Sequence, residues 1–290
     1  MDTSATNSRE SISDALRPQI DWHSLSQGQQ IQSLESDGYV VLPELLSAEE
    51  IESIAAELAV LPTRAVDYSE HQRGFSGVQW TDSPSSIAVV ALQPTVDFLN
   101  RLFGDDLICT AVDYAVSGPG HPGIAIHTDA QPYGSQIFGL QSSCPCLVRV
   151  LYYLDELTPE RSPFKVIPRS HLSMHADGNP YRRYLSHPDE LMVTCAAGSA
   201  VLINQKVFHG NFPNYSDEPR RMLAIAYRPL WAGPIGEVDE HDADKLAKLP
   251  AEIRQYFASP NERHIEYDLP NRPDNMSRDA AGISPSRWQE

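Results

Sequence analysis

The sequence predicts a mainly β fold with flanking helices, built on a double-stranded β-helix of the jelly-roll or cupin kind. Three observations carry that expectation. Residues 107–116, 124–127, 147–154, 164–168, 200–208 and 222–229 are short runs rich in β-branched and aromatic side chains. Clusters of Pro, Gly, Ser and Asp separate them, as turns between strands require. The clear helical patterns precede this block, so the strands close on one another while the helices pack outside.

The first element is Gly38-Tyr-Val-Val-Leu42, an apolar strand that ends at Pro43. Ser47-Ala-Glu-Glu50 follows with the spacing of a capping box, in which the serine caps the helix and the glutamate reaches back. Ile51, Ile54, Ala55 and Leu58 then recur at helical spacing, which predicts one buried face. A second helix is expected over 95–103, closed by Gly104. Residues 1–33 are polar and aperiodic, with the composition of a partly disordered segment. The expected organisation is therefore this N-terminal segment, a jelly-roll domain with its N-terminal helices over 34–235, and an extension over 236–290. That extension is polar and proline-rich, predicted to wrap the barrel with one short helix at 250–257.

Composition narrows the function. The chain has 290 residues, 22 basic and 39 acidic, for a formal charge of -17. Such a surface repels nucleic acid and anionic membranes, and no Lys/Arg-rich stretch overrides it. No apolar run approaches the roughly 18 residues of a membrane span, and the N-terminus lacks a secretory pattern, so the cytoplasm is the expected compartment. Cys109, Cys144, Cys146 and Cys195 lack the spacing of a zinc site and read as reduced thiols. His171 and His175 read as residues of the loop after Pro168, and His121 as part of a mobile glycine-proline loop beside the site. Arg161, Lys165, Arg169, Arg182 and Arg183 are the one local concentration of positive charge; they would meet an anionic substrate if they converged at the barrel mouth, and otherwise read as surface charge.

The chemistry concentrates at strand ends. His127-Thr-Asp129 closes the strand 124–127, and residues two apart on a strand point to one side. Phe208-His209-Gly210-Asn211 closes another apolar run about eighty residues on, where a jelly roll returns a distant strand beside the first. Two imidazoles and a carboxylate on one side of a metal, with the other positions open, are the ligand set of non-haem iron(II) oxygenases. Arg220 begins the last core strand after a turn-forming stretch, and a guanidinium there suits the far carboxylate of 2-oxoglutarate. Arg221 should point to the opposite face, so one of the two serves. Thr110, Tyr114, Tyr152 and Asn211 are further candidates to line the cosubstrate, with Val112 and Arg149 as neighbours on the same strands.

These segments resemble the phytanoyl-CoA dioxygenase family of iron(II)/2-oxoglutarate dioxygenases. Gly38-Tyr-Val-Val-Leu-Pro43 with Ser47-Ala-Glu-Glu50, His127-Thr-Asp129, Tyr152-Tyr-Leu-Asp155, Val166-Ile-Pro-Arg-Ser-His171, Gly198-Ser-Ala-Val-Leu202 with His209-Gly210, and the approach to Arg220 carry the likeness over about residues 38–230. It implies iron(II) on His127, Asp129 and His209, 2-oxoglutarate on Arg220, and O2 as the oxidant that hydroxylates a C–H bond of a small molecule, with succinate and CO2 released. Two turn glycines of the family pattern are Ser162 and Arg169 here, and Ile126 and Thr128 flank the first ligand. The carboxylate at Asp129 favours hydroxylation over halogenation. The acidic chain favours a free small molecule, neutral or cationic, over a phosphate-bearing CoA thioester. Two other readings stay open on the residues alone: a cupin-like metal hydrolase or isomerase that has no use for Arg220, and a non-catalytic jelly roll that binds a small molecule.

Overall fold

The computed structural model describes residues 20–66, 69–129, 145–172, 186–233 and 239–263. Within them the chain forms two antiparallel sheets. The larger has seven strands in the order β1 (Tyr39–Leu42), β9 (Ala200–Asn204), β6 (Val148–Tyr153), β11 (Arg220–Pro229), β4 (Leu107–Ser117), β3 (Ser69–Ser76) and β2 (Arg64–Val66). The smaller has four, in the order β5 (Ile124–His127), β10 (Phe208–Asn211), β7 (Phe164–Ile167) and β8 (Leu191–Val193). From β4 onward the chain passes back and forth between the sheets, which is the jelly-roll path the sequence predicts.

The outer face of the larger sheet is covered by helices. The helix α2 (Ala48–Ala59) starts as expected: Ser47 Oγ accepts from the Glu50 N–H, and Glu50 accepts from the Ser47 N–H at 2.7 Å. The helix α4 (Gln93–Phe103) ends at Gly104, whose N–H meets the Asn100 carbonyl at 2.8 Å.

The N-terminal expectation needs correction. Residues 27–33 belong to a helix, α1 (Gln27–Asp37), capped by Ser26 and Gln29 in a reciprocal box. Its polar composition hid two core contacts at helical spacing, Ile31 and Leu34, both fully buried. Gly38 then takes a left-handed φ of 88°, and a Cβ there would meet His171 Nδ1 at 2.7 Å, so that turn requires glycine. The single strand expected over 200–208 is two. A turn in which the Val207 N–H donates to the Asn204 carbonyl sends β10 into the smaller sheet, opposite β5. The strands β2, β3 and β8 escape the sequence reading because their residues are largely polar or the run is very short.

At the C-terminal side the expected helix shortens to Ala251–Arg254, preceded by another at Ala243–Leu246. Leu249 and Ile253 join the main core. The Cys109 N–H donates to the Tyr256 carbonyl, and the buried Arg228 donates to the carbonyls of Pro260 and Glu262, so 239–263 lies against the barrel. Among the described residues no helix is long and apolar enough to cross a membrane.

Candidate metal centre and cosubstrate pocket

Strand register sorts side chains onto the two faces of the larger sheet. Arg149, Leu151 and Tyr153 of β6 pair across β11 with Ala226, Ala224 and Met222, and Arg220 pairs with Ser117 of β4. Paired residues share a face, and this one looks toward the smaller sheet. The alternate residues look toward the helices: the Tyr152 hydroxyl meets Thr95 of α4 at 2.7 Å, and the Tyr227 hydroxyl donates to the Val90 carbonyl.

Between the sheets, β5 and β10 pair at His127 and His209. Their approach is close at Gly210, where a Cβ would lie 2.5 Å from the Ile124 carbonyl oxygen. The two imidazole centroids are 4.4 Å apart, and Phe164 stacks on His209 at 5.8 Å. Asp129 follows β5, tied by its N–H to the Gln205 carbonyl at 2.9 Å. Its Oδ1 is 3.8 Å from His127 Nε2, and its Oδ2 is 3.7 Å from His209 Nε2. One donor atom from each of the three residues lies within 4.8 Å of the others.

The donor set fits iron(II). His127 Nδ1 is 2.9 Å from the Ala125 carbonyl and His209 Nδ1 is 3.0 Å from the Val207 carbonyl. A carbonyl accepts only, so each Nδ1 carries the proton and each Nε2 turns an unprotonated lone pair inward. Burial, then repulsion from His127, pushes His209 down to about 4 against the attraction of Asp129, so it is neutral at ordinary pH. Burial works against the charge of Asp129, yet His209, Arg149 and His127 hold its carboxyl below the usual range. Arg149 Nε sits 2.7 Å from Asp129 Oδ2, close in charge though its N–H is not aligned as a hydrogen bond.

Along the same face lies a second polar group. Arg220 is fully buried and donates to Ser117 Oγ at 2.6 Å, and that hydroxyl in turn meets Gln72 Oε1. Arg220 Nε and Nη1 have no partner, and neither does the buried Tyr153 hydroxyl. The guanidinium lies over the Tyr153 ring at 5.6 Å, with Asn211 beside the hydroxyl. Burial draws the Arg220 pKa below its ordinary value, an effect eased by Tyr153 and Asp155. Asn211 is two residues from His209 on β10, roughly 7 Å of strand, so through Asn211 and Tyr153 the open guanidinium is linked to the strand that carries a metal ligand. Arg221, on the helix face, is committed: its N–H and guanidinium bond Asp155 at 2.7–3.0 Å.

Other sequence candidates fall elsewhere. Tyr114, Tyr152 and Val112 occupy the helix face, because the register at Leu223 and Ile225 fixes them there. Thr110 is the extra residue of a β-bulge, and its hydroxyl donates to the Ala226 carbonyl rather than into the pocket. Asn211 does face the pocket. His121 is buried and held by Gly123 and Asn214, not carried on a mobile loop. His171 is buried against the Glu35 carbonyl. Arg161, Lys165 and Arg169 pair separately with Asp155, Glu190 and Asp37. Cys109, Cys146 and Cys195 are free thiols, whereas Cys144, His175, Arg182 and Arg183 lie outside the described residues. The sequence reading missed Tyr153 and Ser117. The first is legible from its spacing with Arg149, the second only from register with Arg220.

Comparisons with known proteins come to the same architecture. The family model described as phytanoyl-CoA dioxygenase (PhyH) matches residues 34–222. A methylphosphonate hydroxylase from Gimesia maris is 26% identical over 231 residues, 74% of this chain and 85% of its own. Among solved structures, HygX from Streptomyces hygroscopicus with nickel and 2-oxoglutarate bound superposes with a TM-score of 0.58 at 20% identity, over 76% of this chain and 94% of its own. The carbocyclase SnoK from nogalamycin biosynthesis, described as α-ketoglutarate dependent, gives 0.59 at 20% identity, over 85% and 96%. At that identity the structural likeness speaks to the fold.

Proposed function

The chain belongs to the phytanoyl-CoA dioxygenase family, and from that premise we propose that His127, Asp129 and His209 hold its iron(II), that Arg220 anchors 2-oxoglutarate, and that a C–H bond of a free small molecule is hydroxylated. Membership makes the protein an iron(II)- and 2-oxoglutarate-dependent dioxygenase; the residues and the substrate are our reading. One observation carries it: a fully buried guanidinium with two unpartnered nitrogens on the face of the larger sheet that looks toward the triad's sheet. Leaving such a group unsatisfied costs about 1–3 kcal/mol or more, and a carboxylate is the ligand that fits its charge and open donors.

When bound, iron(II) with 2-oxoglutarate and O2 supplies the oxidising power, with succinate and CO2 as co-products. The chain supplies position. The carbonyls of Ala125 and Val207 fix both imidazoles with Nε2 inward. Arg149 holds Asp129 ionised and braced. Gln72 and Ser117 orient Arg220, while Tyr153 offers a second donor for the same carboxylate. Leu151, Phe164 and Val166, all buried on the inner faces, keep water from the space between. A hydrolase or isomerase of cupin type would leave the open guanidinium without a role.

The test is anaerobic titration of the metal-free protein with iron(II) and 2-oxoglutarate, followed by visible absorption. A weak charge-transfer band that needs both additions, and is lost in His209→Ala, is the expected result. Iron bound without a band would move the assignment to the hydrolase or isomerase, and no iron bound would favour a binding protein. Methylphosphonate is the first substrate to try, on the strength of the Gimesia maris relative.

A further inference from the structure

We propose that Arg149 recognises the substrate, and that the substrate carries an oxyanion close to the carbon that reacts. This rests on the metal and cosubstrate assignments above and reverses the neutral or cationic substrate that the overall charge suggests. Arg149 leaves β6 toward the smaller sheet with Nε against Asp129 Oδ2 at 2.7 Å. Nε is sealed from solvent, yet a third of the side chain is open. Among the described residues no acceptor engages its terminal nitrogens, so their N–H groups form an outward fork beside the metal ligands, the geometry that grips a carboxylate, phosphonate or sulfonate.

Its charge is what changes. Without metal, Asp129 balances Arg149. A divalent ion draws on the same carboxylate, which leaves the guanidinium short of countercharge in a partly desolvated place. Asp113, a carboxylate on this face, stands two strands away and accepts the Gly77 N–H at 3.0 Å. Small side chains lie alongside. Arg149 pairs with Ala226, and Ala226 with Ala111, so on the β11 side the row carries only methyl groups, while Ile203 of β9 stands on its other side. A small apolar body would rest there with its oxyanion on Arg149. Arg161, Lys165 and Arg169, the other basic residues considered for an anionic substrate and described in the structure, each pair with an acid.

The oxyanion could instead be the keto-acid carboxylate of 2-oxoglutarate, and the test separates the two. Protein loaded anaerobically with iron(II) and 2-oxoglutarate is titrated with methanesulfonate and with its neutral counterpart of similar size, dimethyl sulfone, while the visible band is followed. Methanesulfonate is expected to shift the band saturably and dimethyl sulfone to leave it. In Arg149→Met the methanesulfonate affinity falls at least tenfold, Arg149→Lys keeps part of it, and the 2-oxoglutarate midpoint moves less than threefold in both. A tenfold rise in that midpoint would assign Arg149 to the cosubstrate. Loss of iron in both variants would make it a brace for Asp129 alone, and equal response to the two probes, or none, would refute the oxyanion. No band in the wild type would instead refute the metal and cosubstrate reading on which the inference stands.

Discussion

Neighbouring residues on one strand meet opposite fates on the two faces of the large sheet. Arg221 and Tyr152 look toward the helices and are satisfied by protein: Asp155 takes three bonds from Arg221, and Thr95 takes the Tyr152 hydroxyl. Arg220 and Tyr153, one residue away on the same strands, look toward the small sheet and keep unpartnered polar atoms although both are fully buried. A fold that satisfies one face and leaves the other open has reserved the open face for a ligand. The two arginines are chemically identical, so position relative to the pleat alone decides which is bonded within the protein and which is left open.

The sharpest way to break this comparison is to exchange the losses. Arg220→Ala should raise the 2-oxoglutarate KM about 100-fold, roughly 2.7 kcal/mol, while the metal-free protein melts no lower, because a desolvated and under-bonded charge has been removed. Arg221→Ala should do the reverse. It leaves Asp155, which is 6% exposed, with Arg161 alone, and costs about 1–3 kcal/mol once the partial exposure of Arg221 is discounted. Cosubstrate titration and urea melts on both variants read the crossover. Parallel losses in the two would sink it.

The smaller sheet opposite that open face should carry a pH signature. His209 is held at about 4 by burial, first, and by His127, against about 6.5 for an unfolded histidine. Between those values the unfolded chain takes up a proton that the folded metal-free protein refuses. Its stability therefore falls as pH drops from about 6.5 toward 4, by at most about 3 kcal/mol from this residue. Urea melts across that range should show the slope, and His209→Phe should flatten it.

Smaller is the contrast between the tyrosines. Tyr153→Phe is expected to raise the 2-oxoglutarate KM about tenfold with little change in melting, since its hydroxyl has only Asn211 beside it and no well-aligned bond to lose. Tyr152→Phe should leave KM unchanged and cost about 1 kcal/mol, because Thr95 is left buried and unbonded. Should Tyr153→Phe leave cosubstrate affinity untouched, the pocket would rest on Arg220 alone.

Much of this was legible in the sequence because strands impose a period of two. That period, with apolar runs and punctuating turns, predicts the jelly roll, places His127 and Asp129 together, and separates Arg220 from Arg221. It does not give the face. Thr110, Tyr114 and Tyr152 follow the same alternation as the pocket residues and lie elsewhere, because the side a set occupies depends on register with β11 and on one bulge at Thr110. Helix α1 was hidden for another reason. Its amphipathic face is only Ile31 and Leu34, and its stability comes from a cap and from packing on β1 and β9 rather than from composition.

The two departures from the family's turn glycines mark where this chain tolerates strain, and they allow the finest test. Ser162 and Arg169 adopt φ values of 47° and 68°, the left-handed region that glycine enters freely. Each has a local compensation. Ser162 Oγ donates to the Phe212 carbonyl at 3.0 Å, and the Arg169 backbone N–H and Nε meet the Asp37 carbonyl and carboxylate at 2.9 and 3.1 Å. For Ser162 the buried hydrogen bond and the backbone strain are each about 1 kcal/mol and nearly cancel. Arg169 is three-quarters exposed, so its ion pair contributes little. The N–H bond to Asp37 survives in glycine. Arg169→Gly should therefore raise stability by up to about 1 kcal/mol, whereas Ser162→Gly stays within about half of that, and neither should move the 2-oxoglutarate KM. A stabilised Arg169→Gly with unchanged cosubstrate affinity would show that the strain sits in the scaffold behind β7 and outside the pocket. A shift in affinity would mean that this turn sets the position of β10 and with it His209, to which it is tied through Ser170 Oγ and the Phe208 N–H at 2.8 Å.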